Sequence, residues 1–293
     1  MKKILLLGST GMLGKKVFND FKNYQKYELH TITRSANPDS LNHHICDLKD
    51  SNELQVIINT INPDVAINCS GITNLRLCEE DKKYAHQVHV ESTSVITKCI
   101  NKDCYYLHIS TDSVFDGKNG EYTETDRPYP LNYYAQSKLD GDKVAMANHE
   151  NTLILRVNIF GVNSPGGNSL MEWGIKNFLK KENIVGYDNV FFNPLYAGQL
   201  SKLILYLMDN RQFDIFNIGC KERYSKYLFL KEVLYLVGGD DNLLKKASYS
   251  TDGQKIKRPL NTTLNLTRLS SFYEVPLITD GIKEAIADFL KSN

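Results

Sequence analysis

The opening stretch of the chain, Lys2 to Gly14, constrains the fold most. Four consecutive apolar residues, Ile4 to Leu7, run into three glycines, Gly8, Gly11 and Gly14, and a helix-like segment follows. A strand, a glycine turn and a helix in this order are the context that a dinucleotide-binding fingerprint requires. Gly8 would allow a tight turn, Gly11 a close approach of the backbone to a pyrophosphate, and Gly14 close packing of the helix on the sheet. The N-terminus of the helix would attract the phosphates. The glycine spacing is G-x-x-G-x-x-G, and the alternative to a dinucleotide site is a glycine turn in an α/β protein that binds no ligand.

Composition excludes several other classes of protein. The chain has 293 residues, 42% of them hydrophobic, and 35 basic residues nearly balance 34 acidic ones. A net charge of +1 gives no reason to expect nucleic acid or an anionic membrane as a partner. The apolar run after Lys2 and Lys3 is too short for a signal peptide, and no stretch has the length of a membrane span. We therefore expect a soluble, cytoplasmic protein.

The cysteines and histidines do not predict a metal site. No C-x-x-C pair occurs, which favours reduced thiols in the core over a zinc site or a disulfide framework. The six cysteines are Cys46, Cys69, Cys78, Cys99, Cys104 and Cys220. His86 and His89 lie near one another without a third ligand, so we interpret them as surface or interface residues and expect no metal.

Strand-like and helix-like segments alternate through the first half of the chain. Helices are predicted at 12–21, 51–60, 79–101 and from about 132, and strands at 27–33, 43–48, 64–68, 104–109 and 152–157. This alternation predicts an α/β fold of the Rossmann type with a doubly wound parallel sheet. We expect residues 1–160 to form the NADP(H)-binding domain. Residues 161–293, which begin with the Gly-, Asn- and Ser-rich loop 161–169, show no obvious core of their own and are predicted to form mainly a smaller substrate-binding lobe, with elements that return to the first domain.

The end of the second predicted strand carries Arg34 where a dinucleotide fold reads the adenosine ribose. An acidic residue there would accept from the 2′-hydroxyl of NAD, whereas an arginine suits the 2′-phosphate of NADP. We therefore expect NADPH as the cofactor, and NADH is the other cofactor that the fold could take. The alternative interpretation of Arg34 itself is an ordinary solvated arginine in a turn. Asp47 is either the cap of the next helix or an adenine contact, or both. The small residues Cys69, Ser70 and Gly71 would let a cofactor lie against the backbone after the strand that ends at Asn68.

Tyr134 and Lys138 form a Y-x-x-x-K pair on a predicted helix. Residues four apart lie on one helix face, so the ammonium of Lys138 can stand near the phenol of Tyr134 and is expected to lower its pKa. Thr111, at the end of a neighbouring strand, could hold a substrate carbonyl against Tyr134. These residues together predict a hydride-transfer site in which Tyr134 supplies the proton. Tyr133 lies off the face of Lys138 and is predicted to be a packing residue.

Several motifs resemble those of the extended short-chain dehydrogenases/reductases, and within these the dTDP-4-dehydrorhamnose reductase group. They are the glycine turn, NCSG (68–71), STDSVFDG (110–117), TETDRPYPLNYYAQSK (123–138) and RPLNTTLN (258–265). The resemblance spans essentially the whole chain. It implies a nicotinamide cofactor, a nucleotide-diphospho-sugar substrate, and the catalytic set Thr111, Tyr134 and Lys138, with Lys138 also holding the nicotinamide ribose.

The site residues that we expect fall into two further groups. The cofactor-binding group, besides Tyr134 and Lys138, is Gly8, Ser9, Thr10, Gly11, Met12, Leu13, Gly14, Arg34, Ser35, Asp47, Leu48, Cys69, Ser70 and Gly71. The substrate-binding group is Thr73, Ser113, Val114, Phe115, Asn158, Trp173, Asn193, Tyr196 and Arg258, of which Arg258 would contact the diphosphate.

The chain departs from the family pattern at Ser113, where tyrosine is usual, at His89, where asparagine is common, and after Arg156, where VNIFG replaces a tryptophan-containing stretch. The first and the last of these departures leave the sugar open, and His89 leaves open whether an asparagine-based proton relay exists. The leading interpretation is an NAD(P)H-dependent reductase of a 4-keto-6-deoxy nucleotide sugar in surface polysaccharide synthesis. A nucleotide-sugar epimerase or dehydratase on the same scaffold is a second, for which Asp112 beside Thr111 is the one supporting residue.

A regulatory protein on a reductase fold, such as the β subunit of methionine adenosyltransferase, is the third interpretation. The oligomeric state is open, although many members of this family form homodimers through long helices such as 79–101 and 133–149.

Overall fold

The computed structural model describes residues 1–163, 167 and 169–292, with the side chain of Ser292 left out. The predicted loop 161–169 therefore lies partly outside the described residues. The strands are β1 Lys2–Leu7, β2 Tyr27–Thr33, β3 Asn42–Ile45, β4 Val65–Asn68, β5 Tyr105–Thr111, β6 Thr152–Val157, β7 Ile159–Phe160, β8 Ile184–Tyr187, β9 Phe191–Phe192, β10 Leu195–Tyr196, β11 Asp214–Ile218, β12 Tyr224–Ser225 and β13 Leu244–Ala247. The α-helices are α1 Met12–Phe21, α2 Ser51–Ile61, α3 Leu75–Glu80, α4 Lys82–His86, α5 Ser92–Cys99, α6 Tyr133–Asn148, α7 Leu170–Leu179, α8 Ala197–Asp209, α9 Lys226–Leu236, α10 Thr267–Ser270 and α11 Ile278–Ser292.

Seven strands form a parallel sheet in the order β11-β6-β5-β4-β1-β2-β3. Strands β1 to β6 lie in the order 3-2-1-4-5-6, which is that of a doubly wound dinucleotide-binding fold. The direction of winding in such a fold reverses between β1 and β4. Ligands of such sheets bind in the crevice at the carboxyl ends of the strands at that point. The predicted fold class is confirmed.

Helices cover both faces of this sheet. Leu13 and Val17 of α1 pack with residues of α8 against one face, and Leu54 and Ile58 of α2 pack with α5 and α6 against the other. The strands between them are apolar on both sides, and β1 is fully buried from Ile4 to Leu7. Burial on both faces is the reason that these strands read as continuous apolar runs.

The later segments pack around a second hydrophobic cluster, which the sequence did not reveal. Phe160, Phe192 and Phe229 lie at its centre, with ring centroids 5.1 and 5.6 Å from Phe229, and residues of α7, α9 and α11 surround them. The strand β11 and the helix α8 return to the large sheet instead. Within the described part of the chain, no helix is long and apolar enough to cross a membrane.

The helix predicted over 79–101 is divided. The side chain of Asp81 accepts a hydrogen bond from Tyr84 N and caps a new helix at that point, so α3 ends before it. Residues Gln87–Glu91 then form a π-helical turn, which continues into α5. The prediction of one uninterrupted helix was wrong, because an N-cap aspartate offers the backbone a local alternative to a continuing helix.

Candidate active site

The glycine turn after β1 has the geometry that a dinucleotide needs. Gly8 has a φ of +79°, in the left-handed region that favours glycine. A Cβ at Gly14 would lie 2.1 Å from the Gly8 carbonyl oxygen, so only glycine lets α1 approach the turn this closely. Gly11 occupies the N-cap position of α1 and offers no capping side chain. The first-turn N–H groups of α1 are therefore available to phosphate oxygens.

A cavity of about 270 Å³ lies beside this turn, between the ends of β1, β2 and β4. Its lining includes the predicted residues Gly8, Thr10, Gly11, Arg34, Asp47, Leu48, Cys69, Ser70 and Gly71. Ser9 is buried next to it, where its hydroxyl accepts a hydrogen bond from Asn37, and Ser35 is exposed. These residues and the open N-terminus of α1 fit a dinucleotide.

Arg34 and Asp47 have defined partners at the rim of this cavity. The exposed Arg34 donates from Nη1 to the Tyr84 hydroxyl oxygen at 3.0 Å. Asp47 accepts from Lys49 N at 3.1 Å, but the residue that caps α2 is Asp50, which accepts from Glu53 N at 2.9 Å. Of the two roles considered for Asp47, the helix cap is therefore wrong, because the helix begins one turn later than that role requires.

A second cavity of about 620 Å³ shares Gly11 and the 69–72 segment with the first and brings the predicted catalytic residues together. Thr111 ends β5, and Tyr134 and Lys138 project from the first turns of α6, which begins there because Asn132 Oδ1 accepts from Ala135 N at 3.0 Å. Other predicted residues on its wall are Gly11, Met12, Leu13, Cys69, Ser70, Gly71, Thr73, Ser113 and Asn158. The glycine turn and the predicted catalytic set thus line one cavity.

The pKa of Tyr134 is raised, in the opposite direction to the one expected. Burial raises it to about 12, and the hydrogen bond with Thr111 opposes this only in part. The Lys138 ammonium donates instead to the carbonyl oxygen of Ile109 at 2.6 Å. Tyr134 is therefore a protonated phenol across the neutral pH range.

Asp112, next to Thr111, is enclosed by hydrogen-bond donors. Its Oδ2 accepts from Asn158 Nδ2 at 2.9 Å and from the Thr262 hydroxyl, and its Oδ1 accepts from the hydroxyls of Thr111 and Ser113 at 3.2 and 3.3 Å. The carboxylate thereby joins the end of β5 to the segment that contains Thr262. We therefore interpret Asp112 as a structural residue whose hydrogen bonds hold the cavity wall together.

His89 is buried, with 2% of its surface exposed, so its interpretation as a surface or interface residue was wrong. Its Nε2 accepts from Ile72 N at 2.9 Å, which places the ring proton on Nδ1, and Nδ1 donates to Ser137 Oγ at 2.8 Å. Burial, with the nearby charge of Lys138, lowers its pKa to about 3. Within the described residues, no group of three or more His, Cys, Asp or Glu side chains is placed to hold a metal ion.

Several residues of the predicted substrate group lie outside the cavity. Val114 and Phe115 are fully buried in a hydrophobic cluster, where Phe115 stacks on Tyr122 with ring centroids 4.3 Å apart. Tyr196 is buried, and its hydroxyl donates to Asp288. A stretch of mixed polar and aromatic residues after a strand does not reveal which side chains turn inward.

The other three predicted substrate residues lie elsewhere on the C-terminal half. Trp173 packs against the second hydrophobic cluster. Asn193 exchanges two hydrogen bonds with the backbone of Leu264, both of 3.0 Å. Arg258 is exposed and close enough to Lys226 to lower the pKa of that lysine.

Lys226 is a residue that sequence reasoning missed. Its ammonium lies 3.2 Å from the centroid of the Phe192 ring, and Asp112 and Arg258 are both within electrostatic range. Burial lowers its pKa to about 7, while Asp112 acts to raise it. A lysine in the first turn of a helix gives no sequence signal of this kind, because its neighbours come from three distant segments.

Comparison with known proteins places the chain in a family. The family model described as the RmlD substrate binding domain matches residues 1–292. The mouse protein methionine adenosyltransferase 2 subunit beta is 30% identical over 99% of this chain and 88% of its own length. The dTDP-4-dehydrorhamnose reductase of Aggregatibacter actinomycetemcomitans is 24% identical over 94% of each chain.

The fold is also that of a solved reductase. The crystal structure of dTDP-4-dehydrorhamnose reductase from Bacillus anthracis in complex with NADP matches with a TM-score of 0.87 and 20% identity, over 98% of this chain and 99% of that one. The expected resemblance is confirmed. The chain belongs to the RmlD substrate binding domain family, within the extended short-chain dehydrogenases/reductases.

Proposed function

We propose that this chain is an NAD(P)H-dependent reductase of the 4-keto group of a nucleotide-diphospho-6-deoxysugar. The observation that carries the proposal is the convergence of Thr111, Tyr134 and Lys138 in one cavity that opens onto the glycine turn. The solved relative with NADP and the curated reductase relative support the cofactor and the substrate class. Residues 1–160 would hold the dinucleotide, and residues 161–293 would supply most of the substrate contacts.

The protonation state of Tyr134 suits the reductive direction. A bound nicotinamide supplies the hydride in such a reaction. Tyr134 carries its proton at neutral pH, as an ordinary phenol does, and burial raises its pKa further, so it can donate that proton to the carbonyl oxygen as negative charge develops there. The Thr111 hydroxyl lies on the same cavity wall and donates to Asp112 Oδ1 in this structure; on substrate binding it would turn from Asp112 to donate a second hydrogen bond to that oxygen. Lys138, held by the Ile109 carbonyl, supplies a positive charge to the lining of the same cavity.

We propose NADPH as the preferred cofactor. Arg34 stands exposed at the rim of the 270 Å³ cavity, with Tyr84 as its hydrogen-bond partner, and a guanidinium pairs well with a phosphate. No acidic side chain ends β2, whose last residue is Thr33. NADH is the alternative, and the ratio of kcat/KM for the two cofactors decides between them.

Tyr134→Phe tests the proposal directly. Nucleotide-linked 4-keto-6-deoxysugars are offered with NADPH or NADH, and oxidation is followed by absorbance while the product configuration is determined. The wild type should consume the reduced cofactor, and Tyr134→Phe should lower kcat about 10²- to 10⁴-fold because the proton donor is lost. Tyr133→Phe is the matched control, since Tyr133 does not line the cavity, and it should retain activity. Product formed without net oxidation of NADPH would favour an epimerase or dehydratase instead.

A regulatory role is a second candidate, and the similarity to methionine adenosyltransferase 2 subunit beta is the observation that favours it. On this alternative, the chain would bind a partner enzyme and alter its activity without turning over a sugar. No consumption of NADPH with any sugar of the panel, together with a partner-dependent effect that Tyr134→Phe leaves unchanged, would support this role over the reductase.

A further inference from the structure

A buried row of polar side chains lies behind Lys138. The Lys138 ammonium is 3.4 Å from His108 Nε2, and the same ring nitrogen is 3.6 Å from Asp142 Oδ1. All three side chains are nearly inaccessible to solvent, with exposures of 5%, 1% and 2%. His108 and Asp142 do not line the catalytic cavity, whereas Lys138 does. His108 and Asp142 therefore lie on the interior side of Lys138, which is the member of the row that lines the cavity.

Asp142 is only partly satisfied by hydrogen bonds. Its Oδ2 accepts from Ser110 Oγ at 2.6 Å, but its Oδ1 is buried and accepts no hydrogen bond. A buried carboxylate without full hydrogen bonding is costly unless positive charge compensates for it. The cations that act on it are Lys138, four residues earlier on α6, and Arg156 on β6.

The charges of Asp142 and Lys138 depend on each other. Burial lowers the pKa of Lys138, and Asp142 is the larger of the two influences that raise it, ahead of Cys69 beyond β4. Burial raises the pKa of Asp142 to about 6, while Lys138, Ser110 and Arg156 lower it and Asp140 raises it slightly.

The two histidines that face Lys138 add no charge. The pKa of His108 on β5 is far below its usual value, and that of His89 on the π-helical turn is about 3. Both rings are therefore neutral near pH 7. Asp142 is thus the carboxylate that balances the ammonium, across the neutral ring of His108.

We propose that Asp142, acting across His108, is a positioning residue that keeps Lys138 protonated in its buried site. The proposal rests on the proposed function in that Lys138 is taken to be part of the catalytic set. It implies that Lys138 keeps its charge to higher pH when Asp142 is ionised than when Asp142 is neutral. Reduction should therefore be lost at the alkaline side, where Lys138 loses its proton, and at lower pH when the Asp142 charge is removed.

The charge of Lys138 is measurable without any substrate. Lysine labelled with ¹³C at Cε is incorporated into the full chain, and the Lys138 signal is identified by its absence in Lys138→Met. In the wild type this signal should show an inflection near pH 6 as Asp142 titrates, besides its own titration at higher pH. In Asp142→Asn the inflection should vanish, and Lys138 should titrate at lower pH. Absence of the inflection from the wild type would overturn the proposal even if the variant did not fold.

Asp140→Asn is the matched control. It removes one carboxylate from the same helix, but Asp140 is bonded to Gln136 and lies near Lys143 at the surface. Its Lys138 titration at alkaline pH should stay that of the wild type, while the inflection from Asp142 should move only slightly to lower pH, because Asp140 is the weakest of the influences on Asp142. If Asp140→Asn and Asp142→Asn shift Lys138 equally, the effect is a general one of net charge and the proposal fails.

The pH profile of kcat with NADPH links this charge to the reaction. In Asp142→Asn the alkaline limb should move to lower pH, so the ratio of the variant's kcat to that of the wild type should fall as the pH rises through that limb, up to about tenfold for each pKa unit by which the limb moves. An unchanged profile in a folded variant would contradict the proposal. Inactivity of the wild type with every sugar, alongside the expected shift of the Lys138 signal, would instead count against the proposed function alone.

Discussion

His89 joins two parts of the site through a single neutral ring. Its Nε2 holds the backbone of Ile72, in the loop after β4, and its Nδ1 holds Ser137, whose hydroxyl in turn donates to the carbonyl of Tyr134 at 3.0 Å. The ring also meets the Tyr134 ring edge-on, with centroids 6.0 Å apart. A neutral imidazole, with one donor and one acceptor, is needed here, because a protonated ring would have no acceptor for Ile72 N–H.

Acid should therefore destabilise the protein in part through His89. Its pKa is about 3 when folded and about 6.5 when unfolded, so the unfolded chain binds more protons below pH 6.5, and stability falls as the pH drops from about 6.5 towards 3. The contribution is on the order of 1.4 kcal/mol per pH unit in that window. His89→Gln, which keeps an acceptor for Ile72, should flatten the dependence of the free energy of unfolding on pH, measured by urea titrations at pH 7.5, 6.5 and 5.5.

His86→Gln is the comparison for this test, because the His86 side chain is 45% exposed and lies on the same helical segment. It should leave the pH dependence as it is in the wild type. Equal slopes for the wild type and His89→Gln would show that His89 is free to take a proton in the folded protein.

At the scale of elements, two helix starts build the site. The N-terminus of α1 meets the glycine turn, and the N-terminus of α6, capped by Asn132, presents Tyr134 and Lys138. The π-helical turn Gln87–Glu91 packs against α6 so closely that a Cβ at Gly141 would lie 2.5 Å from the His89 carbonyl oxygen. A local π-turn in a helix often marks a functional site, and this one carries His89.

Two glycines of the α1 turn should respond differently to replacement by alanine. In Gly14→Ala the new Cβ would lie 2.1 Å from the Gly8 carbonyl oxygen, which is backbone and cannot move aside cheaply. We expect a loss of about 1–3 kcal/mol in the free energy of unfolding. In Gly11→Ala the nearest atom is 3.4 Å away, so the fold should persist while NADPH binds more weakly.

Thermal unfolding with and without NADPH, and titration of the cofactor by fluorescence, separate the two effects. The interpretation of Gly11 as the point of phosphate approach would be wrong if Gly11→Ala bound NADPH as tightly as the wild type does. A melting temperature of Gly14→Ala equal to that of the wild type would count against the close packing of α1 on the turn.

At the scale of the whole molecule, the core beneath α1 on the large sheet and the second hydrophobic cluster divide the work that we propose. The glycine turn belongs to the large sheet, whereas the second cluster is built from Phe160 and later segments. One hydrogen bond crosses between the two regions, since Asp288 of α11 accepts from Lys16 of α1. Asp288 also accepts from Tyr196 of β10, within the second cluster. Asp112 and Thr262 make a second such link beside the cavity.

Phe229→Ala should test this division. Phe229 is fully buried and contacts Phe160 and Phe192 edge-on, so its truncation should cost about 3–5 kcal/mol of stability. The void left by the missing ring would lie in the second cluster. The folded fraction of Phe229→Ala should therefore keep its affinity for NADPH and bind the nucleotide sugar more weakly. Leu228→Ala, at a side chain that is 46% exposed, should change neither.

Chemical denaturation followed by binding assays at a temperature where Phe229→Ala stays folded gives the measurement. A loss of NADPH affinity equal to the loss of sugar affinity would show that the two clusters do not act separately.

The sequence by itself determined the features that depend on neighbours along the chain. The bounds of β2, β6 and α1 agree with the predicted ones to the residue, and the predicted glycine turn and Tyr134–Lys138 pair line one cavity. Strand and helix periodicity, caps and glycine turns are set within a few residues, which is why such features are legible without a structure.

Only the tertiary structure decided which side chains turn towards the cavity and which protonation states burial imposes. His89 is buried, and Val114 and Phe115 lie in the core. The Tyr196 hydroxyl donates to Asp288, and the buried His108 and Asp142 lie on the interior side of Lys138. Burial also raises the pKa of Tyr134, where the nearby lysine alone suggested a lower one. These outcomes depend on residues that are distant in the chain and on the exclusion of water, and a one-dimensional pattern records neither.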